Sequence, residues 1–255
     1  MTATVKNLRW KKRTGEKQAF VDFALYGGEI QEEKDLNEID DLVKEGVVGF
    51  KITLGGRTAI KNDGILIKAL RQISKANSIA SFHAENNQLL DYFKTELMSE
   101  GRRDLEAHAD SRPNVAEAEA ISRAILYSEE TTNKIHICHM TTKEGVKLVK
   151  DAKRKRMKIT SETCPHFLLF TRDDYAKYGP GLITNPPLRF KSDVAALWHG
   201  LADGTIDTIA TDHCAYLKSE KRVGWTNVWD TPAGIPGLET LVCLMLSEGV
   251  NKGRL

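Results

Sequence analysis

The chain has 255 residues, 41% of them hydrophobic and 28% charged, which is enough apolar mass for one large α/β domain and excludes a disordered tail. Lys and Arg number 37 against 35 Asp and Glu, and the basic run Lys153-Arg154-Lys155-Arg156 is short and flanked by helix-like sequence, so no nucleic-acid partner is expected. No apolar stretch approaches membrane-spanning length, the opening MTATVKNLRWKKRTGEK has no apolar signal-peptide core, and Cys138, Cys164, Cys214 and Cys243 show no C-x-x-C spacing; together these predict a reduced, cytoplasmic protein with no membrane partner.

The polar opening runs straight into AFVDFALY, read as a first strand, so that the chain resembles entry into the middle of a domain. A helix over Asp35 to Glu45 precedes the strand VVGFKITL, and a helix over Gly64 to Asn77 precedes SIASFHAE. The helix Asn114 to Glu129 opens after Pro113 and keeps Val115, Ala118, Ile121 and Ile125 at helical spacing. KIHICHM, a helix over Thr142 to Arg154, MKITSETC, GLITNPP, a helix over Lys191 to Asp203, and DTIATDH follow in turn. Strand after helix after strand predicts parallel pairing. Seven strands are counted in a chain of the length of a TIM-type (β/α)8 barrel, so residues 1–255 are expected to form a single α/β barrel domain that is incomplete. There is no internal repeat and no low-complexity tract.

Lys51 in GVVGFKITL, His83 in SFHAEN, His139 in HICHMTT and Asp212 in IATDHCAY each stand at the end of a predicted strand, where such a barrel carries its chemistry. His136 and His139 are three apart, so on a regular strand only one faces the mouth, and His139 is nearer the C-terminal end. Taken singly, each has a bland reading: a hydrogen-bonded core histidine, a lysine reaching solvent, an aspartate capping a helix. Taken together they make most of a two-metal hydrolase site. The His-x-His pair that such a site takes from an earlier strand is absent upstream of Lys51, and the chain reads as a piece of an enzyme. His108, His166 and His199 are assigned local structural roles. Glu162 either lines the mouth or is a buried paired carboxylate.

The ordered set DFALYGG, GFK, HAEN, HICH, SETCPHFL, NPPLR, GTIDTIATDHC and GIPGLET resembles the cyclic amidohydrolases, meaning dihydroorotase, allantoinase and hydantoinase/dihydropyrimidinase. The resemblance implies a metal-dependent barrel, lacking here its first strand, that opens a small cyclic ureide or imide by hydrolysis. It implies two divalent ions, usually zinc, bridged by Lys51 carboxylated with carbon dioxide, with His83 and His139 on the second ion and Asp212 as both ligand and catalytic proton carrier. Asn185 and Ala233 fall at substrate-binding positions, with Glu85 orienting His83 and His213 lying behind Asp212. NPPLR, GTIDTIATDH and GIPGLET look most like dihydroorotase, yet Tyr216 replaces the second His of that family's DHAPH. DHC is similar to hydantoinase, whose tyrosine after the carboxylated lysine is glycine here, near Gly55-Gly56; GVVGFK and HICHMTTKEGV are similar to allantoinase. The alternative from another class is an inactive amidohydrolase-like scaffold or fragment. An absent strand leaves an open sheet edge, so a homo-oligomer, dimer or tetramer, is expected. With two ligands missing from one metal, the chain alone is expected to be a poor catalyst.

Overall fold

A computed structural model describes residues 2–255. Five strands form one parallel sheet in sequence order: β1 (Phe50–Thr53), β2 (Ile79–His83), β3 (Lys134–Ile137), β4 (Ile159–Thr163) and β5 (Thr208–Ile209). The helix Asp63–Lys75 joins β1 to β2, the helix Asn114–Thr131 leads into β3, Lys143–Arg154 joins β3 to β4, and Lys191–Ala202 precedes β5. Two of these starts are set by side-chain caps: the Asn62 side chain accepts from the Ile65 amide at 3.0 Å, and Thr142 Oγ1 accepts from the Gly145 amide at 3.1 Å.

One face of the sheet is apolar and fully covered. Phe50, Ile52, Ala80, Phe82, Ile135 and Ile137 are buried with Leu66, Ala69, Leu70 and Ile73 of the first of these helices, with Ala120, Ile121 and Ala124 of the second, and with Val149 of the third, in one contiguous core. Each such Leu, Ile or Phe contributes roughly 1.5–3 kcal/mol by leaving water. The opposite face is polar. Register pairs Lys51 with Ser81, Ser81 with His136 and His136 with Thr160, so one row of polar side chains crosses four strands on the concave side.

Two predicted strands are absent. AFVDFALY is extended but unladdered: Phe20 and Val21 are exposed, and the segment reaches the sheet only through the Val48 amide to the Leu25 carbonyl and the Gly27 bridge to Phe50. Before it comes a helix, Val5–Gln18, where the sequence reading ran directly into a strand; Thr4 caps this helix and Leu8 is its one buried residue. GLITNPP is a 3-10 turn (Gly179–Leu182) followed by an irregular buried segment. Its carbonyls go to a side chain instead of a ladder: Lys221 Nζ donates to Pro180 O at 3.3 Å, Gly181 O at 3.2 Å and Ile183 O at 2.8 Å. The helices Asn87–Ser99 and Leu105–Asp110 were not anticipated.

A buried ion pair ties the helices to the strand ends. The Glu117 carboxylate accepts from the Thr141 and Thr142 amides at 2.8 and 3.1 Å, from both threonine hydroxyls and from Arg189 Nη2 at 3.2 Å, with both charged side chains almost wholly buried. Arg189 also donates to the Arg112 carbonyl and to Thr141 Oγ1. Replacing Glu117 by Ala strands the buried guanidinium and four donors, so Glu117→Ala is expected to destabilise the fold by about 3–5 kcal/mol, read as a fall in the urea midpoint.

Candidate active site

Lys51, His83, His139, Asn185, Asp212 and Ala233 line one cavity of about 340 Å³ at the C-terminal ends of the strands. Strand position explains most of this. Lys51 is the second residue of β1 and points to the concave face; His83 closes β2 on the same face. His139 lies two residues past β3, where strict alternation would send it to the core face. A left-handed backbone at His139, φ 36°, turns its ring back toward His83. Asp212, beyond β5, is also left-handed, φ 45°. The parity expectation is thereby corrected: His136 faces the concave side as a regular strand residue, and His139 reaches the mouth as well.

The two mouth imidazoles converge. His83 Nδ1 and His139 Nε2 are 3.1 Å apart, while His83 Nε2 lies 2.8 Å from Glu85 Oε2. When His83 Nε2–H donates to that carboxylate, the Nδ1 lone pair is left facing the cavity. Glu85 is itself fully buried and is held by Arg112 Nη1 at 2.5 Å. Burial alone would raise the Glu85 carboxyl, but Arg112 and the His83 hydrogen bond hold it well below the usual carboxylate range. Burial first, then the charges of Lys51 and His83, keep the His139 imidazole neutral, and its buried Nδ1 has no hydrogen-bond partner. Burial also raises Asp212 above an ordinary aspartate, opposed by Lys51 and His83.

Asn185 borders the cavity from the segment that Lys221 pins, and its buried Oδ1 is unpartnered. Ala233 lies beside Gly234, whose amide donates to Ile183 O at 2.9 Å. At Gly234 a Cβ would stand 2.6 Å from the Cys214 carbonyl, so only glycine lets this segment lie against the Asp212 loop. His213 does not sit behind Asp212: it is exposed, and its Nδ1 accepts from the Gly237 and Leu238 amides at 3.2 Å. Glu162 pairs with His136 Nε2 at 3.1 Å on the concave face. The sequence reading missed Arg112 and Arg57, which both border the mouth cavity, and Arg112 also grips Glu85. The signal for Arg112 was a cation in the polar connector DSRPN just ahead of a helix start.

A parallel partial barrel with Lys, two His and Asp at its mouth has the architecture of the amidohydrolases. No profile of a known protein family matches the chain. Individual relatives do. L-hydantoinase of Paenarthrobacter aurescens is 34% identical over 258 residues, covering 100% of this chain and 56% of that protein. Allantoinase of Bacillus velezensis is 33% identical, covering 99% and 56%, and dihydroorotase of Staphylococcus epidermidis is 36% identical, covering 86% and 49%. Among solved structures, L-hydantoinase (dihydropyrimidinase) from Arthrobacter aurescens superposes with a TM-score of 0.95 at 33% identity, covering 100% of this chain and 57% of that one. D-hydantoinase from Thermus sp. gives 0.94 at 28% identity, covering 100% and 56%. The chain belongs to the cyclic amidohydrolase family, and it spans little more than half the length of the curated relatives it matches.

Two further histidines stand near the site's supports. His108 Nε2–H donates to Thr184 O at 3.0 Å, and His166 is buried beneath the strand ends; burial pushes both imidazoles down to about 4. In the unfolded chain they titrate near about 6.5. The unfolded state therefore takes up protons between those values that the folded state refuses, so this contribution is complete above about pH 6.5 and is lost as pH falls through about 4. Urea midpoints measured across that window are expected to fall with pH, and to fall less steeply in a His108→Gln/His166→Gln variant.

Proposed function

We propose that these residues form the metal-bearing part of an enzyme that opens a cyclic amide ring by hydrolysis, acting on a hydantoin-, allantoin- or dihydroorotate-like ureide or imide. The observation that carries this reading is the convergence of His83 Nδ1 and His139 Nε2 at 3.1 Å in the cavity that Lys51 and Asp212 also line. Nitrogens sharing one tetrahedral zinc at about 2.05 Å stand roughly 3.3 Å apart, so the pair is spaced for one ion. The carboxylate behind His83 and the neutral state of His139 fit the same use.

His83 and His139 would hold one ion, and Lys51 with Asp212 would contribute to its neighbour. Lys51 would reach that role as the neutral amine: after the ammonium has lost one proton, the nitrogen would bond to the carbon of carbon dioxide and release a second proton to solvent, leaving an anionic carbamate with two oxygens. Divalent ions at such a site supply acidification of water and polarisation of the ring carbonyl. Asp212, its affinity for a proton raised by burial, takes the proton from the attacking water and delivers it to the leaving ring nitrogen. Asn185 Oδ1, buried and unpartnered, is the acceptor for a ring N–H. Arg57 and Arg112 place positive charge beside the ring. Near Gly55-Gly56, where a hydantoinase-type tyrosine is expected, the chain offers no hydroxyl to the ring carbonyl, so its polarisation would be left to the ions.

Among the described residues no helix is long and apolar enough to cross a membrane. Zinc as the resident metal, a cytoplasmic setting and self-association through exposed Phe20, Val21, Val242 and Leu246 complete the reading.

The test is metal content by plasma mass spectrometry, followed by ring-opening assays on hydantoin, allantoin and dihydroorotate with bicarbonate and zinc present. Bound metal is expected in the wild-type chain and is expected to drop about tenfold or more in His83→Ala and His139→Ala, because each removes a ligand. A wild-type chain that takes up no ion at the mouth and opens none of the rings would sink the proposal in favour of an amidohydrolase-like scaffold.

A further inference from the structure

On the concave face, partly at the level of His83 and partly one level below it, lies a second cluster of ligand types. His136 on β3, Cys138 just past it and Glu162 on β4 offer an imidazole nitrogen, a thiol sulfur and a carboxylate oxygen, all within 4.8 Å of one another. None of the three is shared with the mouth set of Lys51, His83, His139 and Asp212. The fold places them together for a simple reason: β3 and β4 are parallel neighbours in register, His136 opposite Thr160, so the residues two further along each strand, Cys138 and Glu162, also come side by side.

The surroundings are those of a ligand set. His136 Nδ1 is 2.8 Å from Thr160 Oγ1, and its Nε2 is 3.1 Å from Glu162 Oε2. Either ring tautomer satisfies these two contacts, and in the one that donates Nδ1–H to the threonine, Nε2 keeps a lone pair beside the Glu162 carboxylate that a cation could share. Cys138 is buried, 8% exposed, shares no disulfide, and its thiol lies against Lys51. Atoms bound to one tetrahedral ion stand roughly 3.3–3.8 Å apart, so small side-chain rotations close the cluster around a metal. Three protein ligands leave a fourth position open to water. Sulfur in the set selects thiophilic borderline ions such as zinc, cobalt or cadmium over magnesium or calcium.

We propose that His136, Cys138 and Glu162 form a metal site for a thiophilic divalent cation on the inner face of the partial barrel, with a ligand set of its own that adjoins the mouth and does not need the mouth imidazoles to bind.

The test is cobalt(II) titration of the whole chain, read by the near-ultraviolet thiolate-to-cobalt charge-transfer absorption, which Lys51, His83, His139 and Asp212 cannot produce; Cys214, whose thiol also borders the mouth cavity, is controlled by Cys214→Ser. A saturable band is expected in the wild type, in Cys214→Ser and in His83→Ala/His139→Ala. It is expected to vanish in Cys138→Ser. In Thr160→Val, which keeps all three ligands and the volume of the core, cobalt affinity is expected to fall about 10- to 100-fold. No band in the wild type, a band that survives Cys138→Ser, or one that disappears with Cys214→Ser overturns the site. Loss of the band in the His83→Ala/His139→Ala variant overturns its independence from the mouth, so failure here and failure of the hydrolase reading are separately visible.

Discussion

Burying Phe50, Ile52, Ala80, Phe82, Ile135 and Ile137 against the surrounding helices fixes what the other side of the sheet must carry. Successive strand residues point to opposite faces, so each apolar position driven into the helical layer places its neighbour on the concave side. Those neighbours are Lys51, Ser81, His83, His136, Cys138 and Glu162. Parallel register then converts position along each strand into depth. Lys51, Ser81, His136 and Thr160 form one level, and Thr53 and His83 the level nearer the mouth. These side chains are thus ordered by the same packing that stabilises the fold, and no loop has to be folded precisely to bring Lys51 and His83 to one face.

Two exceptions to that regularity are informative. Among the described residues, five other than glycine adopt positive φ: Asn77, Thr132, His139, Arg156 and Asp212. Asn77, Thr132 and Arg156 follow helix ends, where a left-handed residue is the ordinary stop. His139 and Asp212 terminate no helix. Each costs on the order of 1–3 kcal/mol in backbone strain, and each stands just past a strand with its side chain at the mouth. Strain of that size persists only where the surroundings impose it. At His139 they do: its neighbours Thr141 and Thr142 are locked to Glu117.

Much of this was legible in the sequence. The runs around Phe50, Ile79, Ile135 and Ile159 carry the β-branched and aromatic residues of strands that are buried on one face and flanked by helices. The mouth residues were legible because each follows such a run. AFVDFALY has the same composition and is no strand, because composition reports what a side chain suits and not whether a neighbouring edge is present to receive the backbone. GLITNPP failed for the converse reason. Its carbonyls are satisfied by Lys221, forty residues downstream, a partner that no local pattern encodes. The parity rule excluded one of His136 and His139 from the inner face, and it failed at the left-handed turn, since a single positive φ reverses the alternation on which the rule depends. His213 was placed by its adjacency to Asp212, but a backbone reversal there sends it outward to a pair of amides.

The charged framework behind the mouth has a mechanical meaning. Glu117 holds the backbone just after His139, Arg189 joins Glu117 to the Arg112 carbonyl, and the Arg112 side chain grips Glu85, which steers His83. The two imidazoles therefore lie at opposite ends of one connected network of charged side chains, joined between its two arginines through the Arg112 carbonyl, and that network bears on their separation. By reciprocity, a cation that draws the rings to a preferred spacing tightens Glu117 on the Thr141 and Thr142 amides by the same free energy that those bonds lend to its binding. Occupancy of the mouth would thus be felt at the start of the Lys143–Arg154 helix, as slower exchange of two backbone protons that touch no ligand at all.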